Sequence, residues 1–453
     1  MLIKKILKAR AFGTAAVLLP LSILTGCSSI CVDPDPRVCP PGQSYTGSPR
    51  VEDRSLAAPA PAQAAPLPAP VAPPPNPDDG IQTAPVQLFD RDTAPPSERP
   101  GTPSASSAPA VSGGANAAGA RIALLLPMNS PTLGGAAESV RAGFMAGYER
   151  DGGGLQVELV PTGDSPEETL DAYRRAAAGH DVVVGPLPRS AVSALAASGP
   201  LARPTIALNH PEQRDALPPG MLVAGLSTED EAAQVADWAA REHPRGRALL
   251  LTGASAWAQR AAAAFEARWS ALGHTSQRFE LPSAEGRVEP AAIDSLKGRL
   301  DIDPPEVLFA ALDVVELRQV VAQTGGRTCA TIACYGGSSV NPGRTPGTGM
   351  MELDGMRLVD IPWLVRPNAA AVMVYPRLDE TTQPLYMSRL YALGIDAFRI
   401  AREVALRPGA PLAIDGVTGR LSTGGDASRA RLQRLESPAI YRDGDFQAAD
   451  SGG

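Results

Sequence analysis

From residue 120 onward, short runs of consecutive apolar residues alternate with longer segments whose apolar positions recur at helical spacing. The run RIALLLP at 121–127 is continuous and apolar, as expected of a strand in a sheet covered on both faces. In 135–149, Ala136, Val140, Phe144 and Tyr148 form one stripe of a helix. LQVELVP (155–161), DVVVGP (181–186), PTIALN (204–209) and MLVAGLS (221–227) read as further strands. Ser165-Pro166-Glu167-Glu168 reads as a capping box with proline in the first helical turn, opening a helix to about Gly179. A short helix is expected near 189–198.

The same alternation then repeats. Thr228-Glu229-Asp230-Glu231 starts a long helix through Trp238, and RALLLTG (247–253) is a strand. The segment 256–272 is a helix with Ala261, Phe265 and Trp269 along one face. EVLFAAL (306–312) and TIACYGG (331–337) are strands on either side of a helix at 313–324. A βα pattern repeated twice predicts an α/β fold of two doubly wound lobes with right-handed crossovers. The first lobe spans about 120–227 plus a later helical segment, and the second about 228–365 plus C-terminal strands, within a domain at 120–449. LYMSRLYALGIDAFRIAREVA (385–405) reads as a helical pair broken at Gly394, with Asp396 capping the second helix. GVTGRLS (416–422) and AIYRDGDF (439–446) read as a terminal antiparallel hairpin or edge strands.

The first 119 residues follow other rules. Lys4, Lys5, Lys8 and Arg10 precede an apolar run at 11–25 that is too short to span a bilayer, which takes about 20 residues. Leu24-Thr25-Gly26-Cys27 closes it, so residues 1–26 read as a secretory signal peptide. The tetrapeptide resembles a bacterial lipobox, with Cys27 as the lipidation site. The competing reading is an ordinary signal peptide with an accidental cysteine. Ser28 in place of an Asp resembles an outer-membrane address. Residues 28–119 contain 20 prolines and almost no aromatics. Such a segment cannot bury enough apolar surface to offset its ordering entropy. Residues 27–119 therefore read as a lipidated, disordered tether, roughly 55 Å across as a coil and about 280 Å as extended polyproline.

Loss of residues 1–26 removes four positive charges and no acid, which takes the net charge from −7 to −11 and leaves Lys297 as the last lysine. An acidic chain without a basic run argues against nucleic acid and anionic lipid as partners. With Cys27 assigned to lipid, Cys31, Cys39, Cys329 and Cys334 remain for disulfides in an oxidising compartment, or as free thiols. There is no C-x₂-C spacing, and the four histidines are scattered, so no metal site is expected. Nucleotide-binding fingerprints, H-E-x-x-H and G-x-S-x-G are absent, and no constellation supports an enzyme or a cofactor. Lys297, in a predicted helix, reads as a solvated charge.

In open α/β sheets the ligand crevice lies beyond the carboxyl ends of the strands. Those ends carry Asn129-Ser130, Gly185-Pro186, Asn209-His210 and Ser255-Ala256-Trp257. Asn129, Ser130, Asn209, Ser255 and Trp257 are thus candidates to line a cleft for a neutral or zwitterionic small ligand. The alternative is that they are helix caps and core residues.

Seven stretches in order, among them IALLLPMNSP…AAESVRAGFMAGY, GLSTEDEAAQVADWA, DGMRLVDIPWLV and LYALGIDAFRIA, resemble the LppC/LpoA family of lipoproteins from about Arg121 to Phe446. The resemblance implies lobes of the type I periplasmic-binding-protein kind. It also implies a non-enzymatic activator that sits in the outer membrane and docks on a class A penicillin-binding protein to stimulate peptidoglycan transpeptidation. The best-known members carry an N-terminal helical-repeat domain, where this chain has the Pro-rich segment. The other function class to weigh is a periplasmic receptor for an amino-acid-like ligand of an importer or sensor. Replacing Cys27 with serine is expected to abolish incorporation of labelled palmitate. Undiminished label in the C27S chain would place the anchor elsewhere.

Overall fold

A computed structural model describes residues 119–449, apart from 213–216, 285, 327, 344–349, 379–383 and 424–431. The signal segment 1–26, Cys27 and the tether with Cys31 and Cys39 lie outside the described residues. The first lobe runs β1 (Arg121–Leu126), α1 (Gly134–Asp151), β2 (Gln156–Pro161), α2 (Pro166–Gly179), β3 (Val182–Val184), α3 (Arg189–Ala197), β4 (Thr205–Ala207) and β5 (Met221–Val223). Its sheet is parallel, in the order β2-β1-β3-β4-β5. The chain leaves β1 for the edge and returns to its other side, so strand order reverses between β1 and β3. On β1, Ile122, Leu124 and Leu126 pack under α1, while Ala123 and Leu125 pack toward α2 and α3. Both faces are covered, which is why the run is unbroken apolar.

The second lobe adds α4 (Thr228–Glu242), β6 (Ala248–Gly253), α5 (Ala256–Ala271), β7 (Ser276–Leu281), a small ladder of β8 (Ser283–Ala284) and β9 (Arg287–Val288), and α6 (Pro290–Ile302). It continues through β10 (Val307–Ala311), α7 (Val314–Gln323), α8 (Thr328–Thr331), β11 (Ala333–Gly336), β12 (Arg357–Asp360), α9 (Pro362–Val365) and α10 (Ala370–Met373). The chain then returns to the first lobe as α11 (Leu385–Leu406) and the small antiparallel sheet β13 (Ala413–Asp415), β14 (Arg420–Thr423) and β15 (Leu432–Leu435). It ends in the second sheet as β16 (Ser437–Arg442) and β17 (Asp445–Ala448), giving the order β17-β16-β12-β11-β10-β6-β7. Leu250 and Phe309 pack beneath Phe265 and Trp269 of α5, and Leu249, Leu251 and Leu308 pack toward Leu317 and Val320 of α7.

Three local readings are corrected. Residues 385–406 form one helix, not a pair. Gly394 sits inside it because α11 lies directly on α1. A Cβ at Gly394 would overlap the Val140 carbonyl oxygen, and one at Gly143 would overlap the Tyr391 carbonyl oxygen. Glycine here permits close backbone approach rather than a break. Phe398 fills the next turn, edge-to-face with Phe144 (5.3 Å) and Tyr148 (5.8 Å). Asp396 is therefore mid-helix and wholly buried, not a cap. Only half of the expected capping box forms at α2: Ser165 accepts from the Glu168 N–H, but the Glu168 carboxylate turns to the Gly163 N–H. Of the two C-terminal segments, AIYRDGDF lies within the β16–β17 hairpin, whereas the RLS of GVTGRLS belongs to β14, the centre strand of the small sheet.

Alanine is a better helix former than glycine by about 1 kcal/mol. Gly394→Ala is nonetheless expected to destabilise by about 2 kcal/mol or more, because neither backbone can yield. Gly298, in α6, has open space within 4 Å of where an alanine methyl group would stand and should gain up to about 1 kcal/mol as alanine. Denaturant melts of the two variants should shift in opposite directions.

Candidate functional site

The five strand-end candidates do different things. Ser130 is buried, and its Oγ accepts from the N–H groups of Leu133 (2.8 Å) and Thr132 (3.2 Å), so it closes the turn that leads into α1. The Asn209 amide donates to the Leu187 carbonyl (3.1 Å) and its oxygen accepts from the His210 N–H (2.9 Å), which binds the exits of β3 and β4 together. Ser255 is the N-cap of α5, accepting from the Ala258 N–H, yet it is exposed. Trp257 is half-buried against the core beneath α5. Asn129 is exposed, and its backbone N–H is engaged with the Thr162 carbonyl (3.0 Å). Asn129, Ser130 and Asn209 share the carboxyl edge of the first sheet, and Ser255 and Trp257 that of the second. No described hydrogen bond joins the two groups.

Among the described residues, a dense polar constellation lies where the chain passes between the lobes. It does so three times: between β5 and α4, between α10 and α11, and between β15 and β16. At the second passage Arg389 of α11 clamps Asp360, at the end of β12, with bonds of 2.6 and 3.2 Å, and donates to the Ser338 carbonyl (2.9 Å). Asp360 is fully buried and also accepts from Asn341 (2.6 Å) and the Ile361 N–H (2.7 Å). At the first passage the Arg434 guanidinium, from β15, donates to the carbonyls of Ala224 (2.6 Å) and Gly225 (2.7 Å). Gln234 of α4 spans to the third, donating to the Arg434 carbonyl (3.0 Å) and accepting from the Glu436 N–H (2.9 Å). Asp396 anchors the turn before β14 by accepting from the Val417 N–H (3.1 Å), the Thr418 N–H (2.7 Å) and the Thr418 hydroxyl (2.6 Å).

Two further carboxyls are buried here. Glu231, in the first turn of α4, accepts from the N–H (2.8 Å) and hydroxyl (3.0 Å) of Ser338. Burial first, and then the charge of Asp360, pushes it up to about 7. Glu436 is pushed well above the carboxylate range by burial and by Glu231, and its Oε2 is buried without a hydrogen-bond partner among the described residues. The sequence pattern did not single out either residue as functional. A signal was present: Glu231 lies at helical spacing from the apolar Val235, Trp238 and Ala239 that α4 buries.

A concavity of about 760 Å³ opens at the amino ends of the strands of the second sheet, lined by His243, Glu306, Thr331, Asp354, Arg357 and Arg442 among others. Cys329 lines it too, and a disulfide joins it to Cys334 of β11. Lys297 is exposed on α6. Among the described residues, no group of three or more His, Cys, Asp or Glu side chains is arranged to hold a metal ion.

Two doubly wound lobes joined by three chain passages define a domain of the periplasmic-binding-protein class. The chain belongs to the LppC family, provisionally described as lipoproteins, whose sequence profile matches residues 115–444. It is 25% identical over 307 residues to the penicillin-binding protein activator LpoA of Enterobacter sp. (strain 638), covering 59% of this chain and 41% of that one. The chain thus spans less than half the length of that relative. In structure it resembles the C-domain of LpoA (YraM) from Haemophilus influenzae, described as a regulator of PBP1A, with a TM-score of 0.57, 22% identity, 73% of this chain and all of that one. It also resembles a Chromobacterium violaceum protein with the provisional name branched-chain amino acid ABC transporter, with a TM-score of 0.56, 31% identity, 71% of this chain and all of that one.

Asp396→Ala would strand two buried backbone N–H groups and a hydroxyl, and is expected to destabilise by about 3 kcal/mol or more. Thr418→Val keeps both N–H bonds and removes the hydroxyl that donates to Asp396 and accepts from Arg434 Nε (3.1 Å), and should cost less, about 1–2 kcal/mol. Urea denaturation of both variants checks the order, and equal effects would refute the anchoring role.

Proposed function

We propose that the chain is an outer-membrane lipoprotein, anchored on the periplasmic face through lipid on Cys27, that activates a class A penicillin-binding protein by docking. Residues 28–119 hold the two-lobed domain away from the lipid, and the domain itself performs no catalysis. The observation that carries this reading is membership of the LppC family across 115–444, joined to a fold that matches the whole C-domain of a regulator of PBP1A. The lipobox-like LTGC and the Pro-rich segment agree with it.

A second reading, a receptor for an amino-acid-like solute, is favoured by the likeness to the Chromobacterium protein and by the exposed polar side chains of Asn129 and Ser255. One pair of measurements separates the two. The mature protein is expected to co-purify with a class A synthase and to raise the cross-linked fraction of the peptidoglycan it makes. Absence of binding and stimulation across all class A synthases of the host refutes activation. In a thermal-shift screen of amino acids and muropeptides, a true solute at a hundredfold excess over its Kd would add about 2.7 kcal/mol. Such a shift without synthase binding would select the receptor.

A further inference from the structure

We infer that Glu231 and Glu436 form a proton-dependent latch on the chain passages between the lobes, closed while the pair retains a proton and loosened when both carboxyls ionise. The inference is independent of the partner proposed above.

The geometry starts from where the two residues stand. Glu231 lies four residues into the second lobe after the first passage, and Glu436 lies within the third. Each is about nineteen-twentieths buried, at 4% and 5% exposure. The Glu231 carboxylate holds the chain after β11 through Ser338, whose carbonyl is held in turn by Arg389 of α11. Glu436 is fixed by its own N–H to Gln234, one turn along α4 from Glu231. Its Oε2 has no hydrogen-bond partner among the described residues. A buried, unpartnered ionised oxygen is costly, whereas a protonated carboxyl escapes most of that cost.

The surrounding charges do not remove the need for a proton. Facing the pair are Asp360 from β12, Arg389 from α11 and Arg434 from β15, with Asp230 of α4 and Asp396 of α11 also near Arg434. Arg389 is committed bidentately to Asp360, and Arg434 to two backbone carbonyls. In none of these bonds does either cation donate to Glu231 or Glu436. Also at the first passage stand His210, whose ring bonds the Gly225 carbonyl (3.1 Å), and Glu229, which accepts from the hydroxyls of Ser227 (3.4 Å) and Thr228 (3.3 Å) and pairs with Arg260 (2.9 Å).

Folding raises the affinity of both carboxyls for protons. The contribution of Glu231 is therefore complete below its unfolded value of 4.5 and is lost as pH rises through about 7. Neutralising side chains should preserve the latch where ionisation would open it.

Amide exchange of the full mature chain, corrected for its intrinsic pH dependence, tests this in peptides covering 224–231 and 432–440, with β1 as the internal reference. In the wild type, protection of the passages relative to β1 is expected to fall about tenfold between about pH 5.5 and about pH 8. The Glu231→Gln, Glu436→Gln double variant should keep its protection at the higher pH. A constant wild-type ratio overturns the proposal, as does a fall that persists undiminished in the double variant. A fall abolished by His210→Gln and retained in the double variant would assign the proton to His210 and equally overturn it. If the double variant loses β1 protection as well, the wild-type ratio and the Glu231→Gln single variant decide.

Discussion

The direct backbone contact between α1 and α11 is the constraint on which the rest of the domain depends. Gly143 and Gly394 let the two helices approach until each carbonyl ladder meets the other helix where a side chain would stand. At that separation α11 belongs to both lobes. Its Leu393, Ala397, Phe398 and Ile400 complete the first core, and its Tyr391, Ala392 and Ile395 join the core of the second. Seating the helix also sets its polar groups. Arg389 and Asp396 lie seven residues apart, about 10 Å along the axis. One meets Asp360 at the end of β12, and the other meets the turn at 417–418. A small displacement of α11 would misplace both at once.

The ionic groups that follow from this placement are poor sources of net stability. Removing carboxylates and guanidinium groups from water costs several kcal/mol each, and pairing returns that only with near-ideal geometry. The Asp360–Arg389 pair has such geometry, with bidentate contact and both remaining acceptor directions filled. What the network adds is uniqueness. Arg434 of one lobe is bonded to the backbone of the first passage, and Gln234 of the other lobe is bonded to the backbone of the third. The first and third passages are thus each held by a residue that lies beside the other.

Much of this architecture was legible in the chain because it rests on local pattern. Unbroken apolar runs such as RIALLL announced strands covered on both faces, and the Ala261-Phe265-Trp269 stripe announced the buried face of α5. Contacts between distant segments left no local mark. Gly394 looked like a break because glycine weakens an isolated helix, and only the presence of α1 shows why it is there. Asp396 looked like a cap because an aspartate after a glycine usually is one, whereas its partners lie some twenty residues downstream. The strand-end candidates were ambiguous for another reason. A serine ahead of a helix is the same residue whether it bonds the backbone or awaits a ligand, and Ser130 spends its acceptor capacity on the turn before α1. Parts of the second sheet, such as the polar edge strand β7, lacked an apolar run altogether, since its outer residues face solvent.

The passages also bear on how such a domain works. A solute receptor of this fold closes by bending the segments between its lobes, and the bend must cost less than the ligand returns. Here bending the first passage means releasing the Ala224 and Gly225 carbonyls from Arg434, and bending the third means releasing Arg434 and Glu436 from Gln234. The Arg434 bonds at the first passage are charge-assisted and buried, and such bonds are among the more expensive to break. A docking protein faces the opposite requirement. Fixing two lobes in one arrangement before the encounter reduces the ordering cost of association, so a shared surface across both lobes can bind without first being assembled. The same bonds that burden a receptor therefore favour a regulator, and the buried carboxyls are where that rigidity meets solution conditions.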